Sequence, residues 1–188
     1  NFSFQNEDKI FLVLEYVNGG DLKNHLQEST RLTEPEARFY AAQIAMGLGA
    51  LHSQGYTYRD LKPENILIEK DGYIKITDFG LIKKSVPTDP SGNSTFCGTP
   101  QYLAPEIIRE EKYSNSVDWW TFGIVLYELI AGKTPFIDAN FSKMYHRILH
   151  SPPSFPDYFS YDAKDLITKL LDKNMQNENN VRTRLGSE

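Results

Sequence analysis

The sequence predicts an α+β fold that is mostly helical and contains one short β-hairpin. Apolar residues recur at helical spacing from Ala37 to Leu51, which indicates an amphipathic helix with one buried face. The segment 117–131 is apolar on nearly all sides, as is typical of a helix at the centre of a core. The short apolar runs 66–68 and 73–77 flank a turn that contains Gly72, and together they predict the hairpin.

The composition is that of an ordinary globular protein. The 188 residues are enough for one sizeable core, and the net charge of −5 is spread over interspersed acids and bases. We therefore expect no nucleic-acid partner, and no apolar run is long enough to span a bilayer. Cys97 is the single cysteine, which excludes an internal disulfide and suits a reducing compartment, so we expect a cytoplasmic protein, with the nucleus as an alternative. Because the chain begins at Asn1 without a signal peptide or a Met, we expect a fragment of a longer protein.

The first predicted elements are a strand and a short helix. The continuous apolar run within 9–16 predicts a buried strand, and the Asn-Gly-Gly sequence at 18–20 ends it. A plain turn is the simpler interpretation of these glycines, although the backbone that they uncover could bind a flat polar ring. A helix is predicted over 21–28.

The next helix begins with a capping box formed by Thr33 and Glu36. Gly55 ends this segment. His52 lies near the end of the helix, where we expect a packing residue or a C-terminal cation rather than a catalytic base.

Three further helices follow in the second half of the chain. Ser116 is expected to cap the central helix, and Gly132 is expected to end it. A shorter amphipathic helix is predicted over 141–149. Another is predicted over 163–171, and its buried face is expected to carry Leu166, Ile167, Leu170 and Leu171.

The loop 58–65, with the sequence Tyr-Arg-Asp-Leu-Lys-Pro-Glu-Asn, is the most informative stretch of the chain. Charges this dense beside a buried strand cost desolvation unless they meet opposite charges or a ligand. Lys62 suits phosphate oxygens, Asn65 offers the neutral oxygen that Mg²⁺ accepts, and Asp60 is free to take a proton from an attacking hydroxyl. The alternative interpretation is a solvated turn that closes a hairpin.

The hairpin brings the Asp-Phe-Gly sequence at 78–80 beside Asn65, because its first strand starts directly after Asn65. Asp78 then supplies a second, charged oxygen ligand for the same metal ion. The segment 83–94 is predicted to be a mobile surface loop. Thr95, which follows it, is a candidate phosphorylation site with Arg59 as the best candidate cation in the loop 58–65, and the alternative is an unmodified polar residue.

These motifs, in this order, resemble those of the eukaryotic protein kinase family: the loop 58–65, the Asp-Phe-Gly sequence at 78–80 and the Ala-Pro-Glu sequence at 104–106. The resemblance covers the whole chain. It is closest to the AGC group of serine/threonine kinases, such as the serum- and glucocorticoid-regulated kinases, protein kinase B and the cyclic-AMP-dependent kinase. The features that resemble this group are Tyr58 and the segments 95–100, 117–120 and 184–186.

The resemblance implies a protein kinase-like fold with a mostly helical C-lobe. Residues 1–17 would be a remnant of the N-lobe sheet with the hinge, and 18–188 the C-lobe, truncated before its last helix. Within the C-lobe, 58–65 would be the catalytic loop, 78–106 the activation segment and about 116–131 the central helix.

The activity that the resemblance implies is ATP-dependent phosphoryl transfer to serine or threonine, with ATP and Mg²⁺ as cofactors. Asp60 would orient the substrate hydroxyl, Lys62 would contact the transferred phosphate, and Asn65 and Asp78 would bind the metal ion. The positions that match nucleotide contacts are Glu15, Val17, Asp21, Glu64, Leu67, Thr77 and Asp78.

The resemblance also implies regulatory and structural roles. Arg59 and Lys83 match the cations that bind a phosphate on Thr95, placed there by an upstream activating kinase. Lys62 and Thr99 match serine/threonine specificity. The positions that match structural roles are Tyr58 and Phe79 in a hydrophobic stack, Asp118 as its anchor, and Glu106 with Arg184 as a buried ion pair.

The implied partners are protein substrates with basic residues upstream of the target, because Glu64 and Asp21 match acids that select Arg or Lys. His146 stands where the cyclic-AMP-dependent kinase has a further acid. No glycine-rich G-x-G-x-x-G loop occurs, so we expect an active parent protein and an inactive isolated fragment. One alternative is a pseudokinase or scaffolding module on the same fold, which intact Asp60, Asn65 and Asp78 argue against. Another is a purely structural helical domain, which leaves the charged loop unexplained.

Overall fold

The computed structural model describes residues 2–84, 95–174 and 184–186. In chain order the strands are β1 (Phe2–Gln5), β2 (Ile10–Val13), β3 (Tyr56–Thr57), β4 (Ile66–Ile68), β5 (Ile74–Ile76) and β6 (Lys83–Lys84). The helices are α1 (Leu22–Ser29), α2 (Glu34–Ser53), α3 (Pro105–Ile108), α4 (Ser116–Ala131), α5 (Phe141–His150) and α6 (Tyr161–Leu170), and single 3₁₀ turns cover Pro63–Asn65 and Pro100–Tyr102.

Helix α4 forms the centre of the core, as its all-round apolar sequence predicts. Trp120, Ile124 and Leu129 are fully buried, and α2 and α6 pack against the helix. Gly123 permits the close approach of α6, since a Cβ atom there would lie 2.8 Å from Cβ of Leu170. The predicted cap was one residue late, because the N-cap of α4 is Asn115 and Ser116 is its first helical residue.

Helix α2 begins at the predicted capping box. The backbone N–H and the hydroxyl of Thr33 donate to the Glu36 carboxylate over 2.8 Å and 2.6 Å. These hydrogen bonds lower the pKa of Glu36. Ile44 and Leu48 are fully buried on the face that packs toward α4, so the predicted amphipathic helix is confirmed.

The described strands form three separate two-stranded antiparallel sheets, β1–β2, β3–β6 and β4–β5. The hairpin β4–β5 is confirmed, with Ile66 opposite Ile76 and Gly72 at its turn with a φ of +88°. Pairing of β3 with β6 corrects the prediction that the surface loop begins at Lys83. Strands of two residues are too short for an alternating pattern to indicate them.

The prediction of a buried strand over 9–16 was wrong in both length and burial. Strand β2 has four residues, and the side chains of Ile10 and Leu12 are 74% and 67% exposed. The β1–β2 ribbon lies outside the cluster of buried apolar residues, which begins at Leu22. An apolar run shows that a strand has the potential to be buried, whereas burial itself requires a second layer of structure.

Helices α5 and α6 lie within one or two residues of their predicted positions. Leu166 was wrongly placed on the buried face of α6 and is 36% exposed, whereas Ile167 and Leu170 are buried. No helix among the described residues combines the length and the apolar character that crossing a membrane requires. Residues 85–94 of the predicted surface loop lie outside the described residues.

Candidate active site

The loop 58–65 is fixed to the core by Asp118, in the first turn of α4. Its carboxylate is fully buried and accepts the backbone N–H groups of Tyr58 and Arg59, each over 2.8 Å. His52 Nε2 lies 2.7 Å from the same carboxylate. The hydrogen bond to Arg59 stabilises a backbone with a φ of +73°, which is uncommon for a residue other than glycine.

The side chain of Asp60 lies at the centre of a polar cluster. One carboxylate oxygen is 2.8 Å from Lys62 Nζ and accepts Asn65 Nδ2 over 3.1 Å. The other oxygen accepts the Thr99 hydroxyl over 3.1 Å, and Lys62 Nζ also lies 3.2 Å from that hydroxyl. The cluster joins the loop 58–65 to the segment at Thr99, so two parts of the chain that are far apart in sequence meet at Asp60.

Asp78 is brought to the same region through the hairpin. The backbone N–H of Thr77 donates to the carbonyl of Asn65 over 2.9 Å, and the Tyr58 hydroxyl donates to the carbonyl of Thr77. Burial raises the pKa of Tyr58, and the negative charges of Asp60 and Asp78 raise it further. The hairpin thereby places Asp78, the residue after Thr77, beside the loop 58–65.

The Asp-Phe-Gly segment has a constrained backbone and an exposed acid. Asp78 has a φ of +58°, and its carboxylate accepts the backbone N–H of Gly80 over 3.2 Å. The ring of Phe79 meets that of Tyr58 edge-on, with centroids 5.8 Å apart. The carboxylate of Asp78 thus lies at the surface beside a side-chain stack that begins inside the core.

The donor set at Asn65 and Asp78 fits a hard divalent cation. The amide nitrogen of Asn65 donates to the backbone carbonyl of Asp60 over 2.8 Å and to its carboxylate, which directs the amide oxygen to other partners. Across the described parts of the chain, His, Cys, Asp and Glu form no group of three or more that could hold a metal. A cation here would need further oxygen ligands from phosphate and water, as Mg²⁺ commonly has in nucleotide sites.

Two of the predicted nucleotide contacts, Asp21 and Leu67, lie side by side. The backbone N–H of Gly19 donates to the carbonyl of Ile68 over 2.9 Å, and Asp21 forms a β-bridge with Leu67. A Cβ atom at position 19 would lie 2.3 Å from the carbonyl oxygen of Ile68, so this pairing requires glycine. Asp21 also caps α1 by accepting the N–H of Asn24 over 2.8 Å.

Three other predicted nucleotide contacts, Glu15, Val17 and Glu64, lie in two separate parts of the chain. The side chain of Lys75 donates to the Glu15 carboxylate over 2.5 Å, and its hydrogen bonds to Glu15 and then to Glu69 raise the pKa of Lys75. Val17 is half-buried, and Glu64 is exposed in the 3₁₀ turn at the end of the loop.

The candidate phosphorylation site lies close to Arg59. Thr95 is exposed, and its carbonyl accepts the hydroxyl of Tyr113 over 2.8 Å. That hydroxyl accepts Arg59 Nη1 over 3.2 Å. Lys83 is brought to the same side through its pairing with Thr57, two residues before Arg59.

Arg184 and Glu106 form a bidentate ion pair with N–O distances of 2.6 Å and 3.0 Å. Their side chains are 0% and 1% exposed. The guanidinium also donates to the carbonyls of Ser116 and Asp172. The pair holds the start of the α3 segment against the beginning of α4.

A further buried acid, in addition to Asp118 and Glu106, was not predicted from the sequence. Glu128 of α4 is 1% exposed, and its carboxylate lies 2.6 Å from both Lys23 Nζ and the Tyr102 hydroxyl. Burial and the charge of Glu128 raise the pKa of Tyr102. A second acid, after Asp118, within a helix that is otherwise apolar on nearly all sides was the available signal, since a buried charge requires a partner. Tyr113 and the partnership of His52 with Asp118 were also missed, and no local pattern indicates either.

Comparison with known proteins identifies the family. The family model described as "Protein kinase domain" matches residues 2–185. The chain belongs to the protein kinase family. The predicted mostly helical α+β fold is confirmed by this match and by the observed elements.

The similar curated proteins are serine/threonine kinases. The chain is 50% identical over 186 residues to serine/threonine-protein kinase Sgk2 of Homo sapiens, which covers 99% of this chain and 49% of that protein. It is 50% identical to serine/threonine-protein kinase Sgk1 of Homo sapiens over 92% of this chain and 40% of that protein. It is 46% identical to cAMP-dependent protein kinase type 3 of Saccharomyces cerevisiae over 92% of this chain and 42% of that protein. The predicted resemblance is confirmed, and the chain spans about half the length or less of these relatives.

Proposed function

We propose that the protein containing this chain transfers the terminal phosphoryl group of ATP to serine or threonine residues of other proteins. The observation that carries the proposal is the cluster at Asp60, in which one carboxylate contacts Lys62, Asn65 and Thr99. Asp78, the second acid, stands one residue beyond the Asn65–Thr77 hydrogen bond. An acid, a cation and two oxygen ligands for a metal are the groups that phosphoryl transfer requires.

Each side chain then has a distinct role. Asp60 accepts a hydrogen bond from the attacking hydroxyl and orients it, while Lys62 neutralises charge on the transferred phosphate. Asn65 and Asp78 would hold Mg²⁺, which would supply positive charge to neutralise the phosphates of ATP. Asp118 orients the loop, because it fixes two consecutive backbone N–H groups just before Asp60. The contact of Thr99 with Asp60 links the acid to the segment that would present the substrate.

Nucleotide and substrate recognition belong to the same proposal. The bridge between Asp21 and Leu67 supports a nucleotide site in which Leu67 lies under the adenine and Asp21 contacts the ribose. We propose Glu64 and Asp21 as acids that select basic residues upstream of the target. The division of the chain into 1–17 and 18–188 as parts of two lobes is supported by the core cluster, which begins at Leu22.

Regulation would act through Thr95. The proximity of Thr95 to Arg59 through one shared hydroxyl supports phosphorylation of Thr95 by an upstream kinase.

We place the protein in the cytoplasm, consistent with a single cysteine, and we expect the isolated 188-residue chain to be inactive.

The test compares the full-length protein with its Asp60→Asn variant on peptides that carry basic residues before a serine. Asp60→Asn should lower kcat at least about 100-fold, since it removes the carboxylate that orients the hydroxyl. Asp71→Asn is the matched control, because Asp71 is an exposed acid in the hairpin turn and accepts the local N–H of Tyr73 over 3.1 Å. Equal phosphoryl transfer by wild type and Asp60→Asn would reject the catalytic role of Asp60, whereas absence of transfer by the wild type would reject the kinase proposal and favour a scaffolding module.

A further inference from the structure

The buried hydroxyl of Tyr113 connects two segments that the proposed reaction uses. The residue lies between α3 and α4 and is 6% exposed. Its hydroxyl donates to the carbonyl of Thr95 and accepts Arg59 Nη1, and the thiol of Cys97 lies 3.9 Å away. The hydroxyl oxygen of Tyr113 therefore connects the backbone at Thr95, the candidate phosphorylation site, to the guanidinium of Arg59.

Arg59 is held in place from several directions. Asp118 fixes its backbone N–H, and its Nε donates to the carbonyl of Leu81 over 2.6 Å. The contact with Tyr113 adds a constraint on the far end of the side chain. Long guanidinium side chains lose considerable rotamer entropy when they are ordered, so contacts that order the side chain beforehand favour binding of an anion later.

The hydroxyl contributes to position more than to stability. Thr95 is exposed, so water can replace the hydroxyl at its carbonyl if the hydroxyl is removed. Arg59 keeps its bond to Leu81 and can be hydrated as well. Loss of the hydroxyl should therefore free the guanidinium and the backbone at Thr95 to move independently while the ring of Tyr113 stays packed in the core.

We propose that Tyr113 is a positioning residue whose hydroxyl couples the backbone at Thr95 to Arg59 and thereby orders the activation segment against the catalytic loop. The proposal rests on the proposed kinase activity. It assigns the effect to the shared oxygen atom, so Tyr113 acts only through Arg59 and the Thr95 backbone. The consequence is that Tyr113 and Arg59 should be energetically coupled in catalysis.

The test is a double-mutant cycle in the full-length protein, with Tyr113→Phe and Arg59→Ala singly and together. Tyr113→Phe should lower kcat roughly fivefold, the factor expected for one lost hydrogen bond, and leave KM for ATP unchanged. In the Arg59→Ala background the same change should have no further effect. Tyr127→Phe is the matched control, since Tyr127 is 4% exposed and its hydroxyl donates to the carbonyl of Ser154 over 2.6 Å.

Additive effects of the two changes, or an unchanged kcat for Tyr113→Phe, would overturn the proposal. A larger fall in the unfolding temperature for Tyr113→Phe than for Tyr127→Phe would overturn it as well, because the hydroxyl would then be structural. Thr95→Ala separates this inference from the phosphorylation proposal. Coupling of Tyr113 with Arg59 together with an unaffected Thr95→Ala variant would reject only phosphorylation, whereas loss of activity in Thr95→Ala without coupling would reject only the role of Tyr113.

Discussion

Replacement of Glu106 by Gln should destabilise the protein strongly, although the change only replaces one carboxylate oxygen by an NH₂ group. The Glu106–Arg184 pair is almost completely buried, and both guanidinium nitrogens that face Glu106 have a carboxylate oxygen within 3.0 Å. The amide of Gln presents an N–H₂ group where one of these oxygens accepts. The variant therefore leaves Arg184 as a buried cation without a counter-charge on this side.

The expected magnitude follows from the remaining partners of Arg184. Breaking a buried ion pair by removing one partner commonly costs about 3–5 kcal/mol. Arg184 keeps hydrogen bonds to the carbonyls of Ser116 and Asp172, so we expect the lower end, about 3 kcal/mol. For a domain of this size, that loss corresponds to a fall in Tm of about 6–12 °C. Thermal unfolding followed by circular dichroism, with urea titration for the free energy of unfolding, measures both quantities.

The control for this prediction is the exposed pair of Lys169 with Asp165 on α6. Its N–O distance of 2.6 Å equals the shorter distance in the buried pair, but its side chains are 58% and 43% exposed. Asp165→Asn should change Tm little or not at all, because water screens exposed pairs. Equal destabilisation by Asp165→Asn and Glu106→Gln would refute the reasoning, since burial would then have no effect on the cost.

Two further predictions concern Asp118 and Lys173. Asp118→Asn should cost about 2–4 kcal/mol of unfolding free energy, because one amide oxygen cannot replace a carboxylate that accepts three donors; an unchanged urea midpoint and unchanged phosphoryl transfer would contradict it. Burial lowers the pKa of Lys173 from 10.5 to about 8, with Arg109 and Arg184 adding to the effect. The unfolded chain then binds more protons between about pH 8 and pH 10.5, so the free energy of unfolding of wild type relative to Lys173→Met should rise through that window. A flat difference would contradict the lowered pKa.

The sequence predicts well those elements whose signals are local. The capping box at Thr33 and Glu36 uses residues three apart, and the hairpin depends on two apolar runs around Gly72, so neighbouring residues define both. The same hairpin brings Asn65 and Asp78 together. Strand β4 begins directly after Asn65, and strand β5 ends shortly before Asp78. Asn65 and Asp78 could be located as candidate site residues because they lie at the two ends of the hairpin, and neighbouring residues in the sequence define that hairpin.

Features that depend on distant partners could not be predicted. Nothing near His52 indicates that it meets Asp118, which lies 66 positions later. The burial of β2 was predicted from its own apolar residues, whereas exposure is decided by whether another layer covers them. Tyr113 has no distinctive neighbours in sequence, and its significance comes from two contacts made across the fold.

In the proposed function, Asn65 and Asp78 hold a divalent cation with a nucleotide beside Asp60. Binding of Mn²⁺ in place of Mg²⁺, measured by electron paramagnetic resonance in the full-length protein with a non-hydrolysable ATP analogue, tests it most directly. Asp78→Asn should weaken Mn²⁺ binding at least about tenfold, because one anionic ligand is lost, and Asp71→Asn should leave it unchanged. Equal Mn²⁺ affinity in wild type, Asp78→Asn and Asp71→Asn would contradict the assignment of the site.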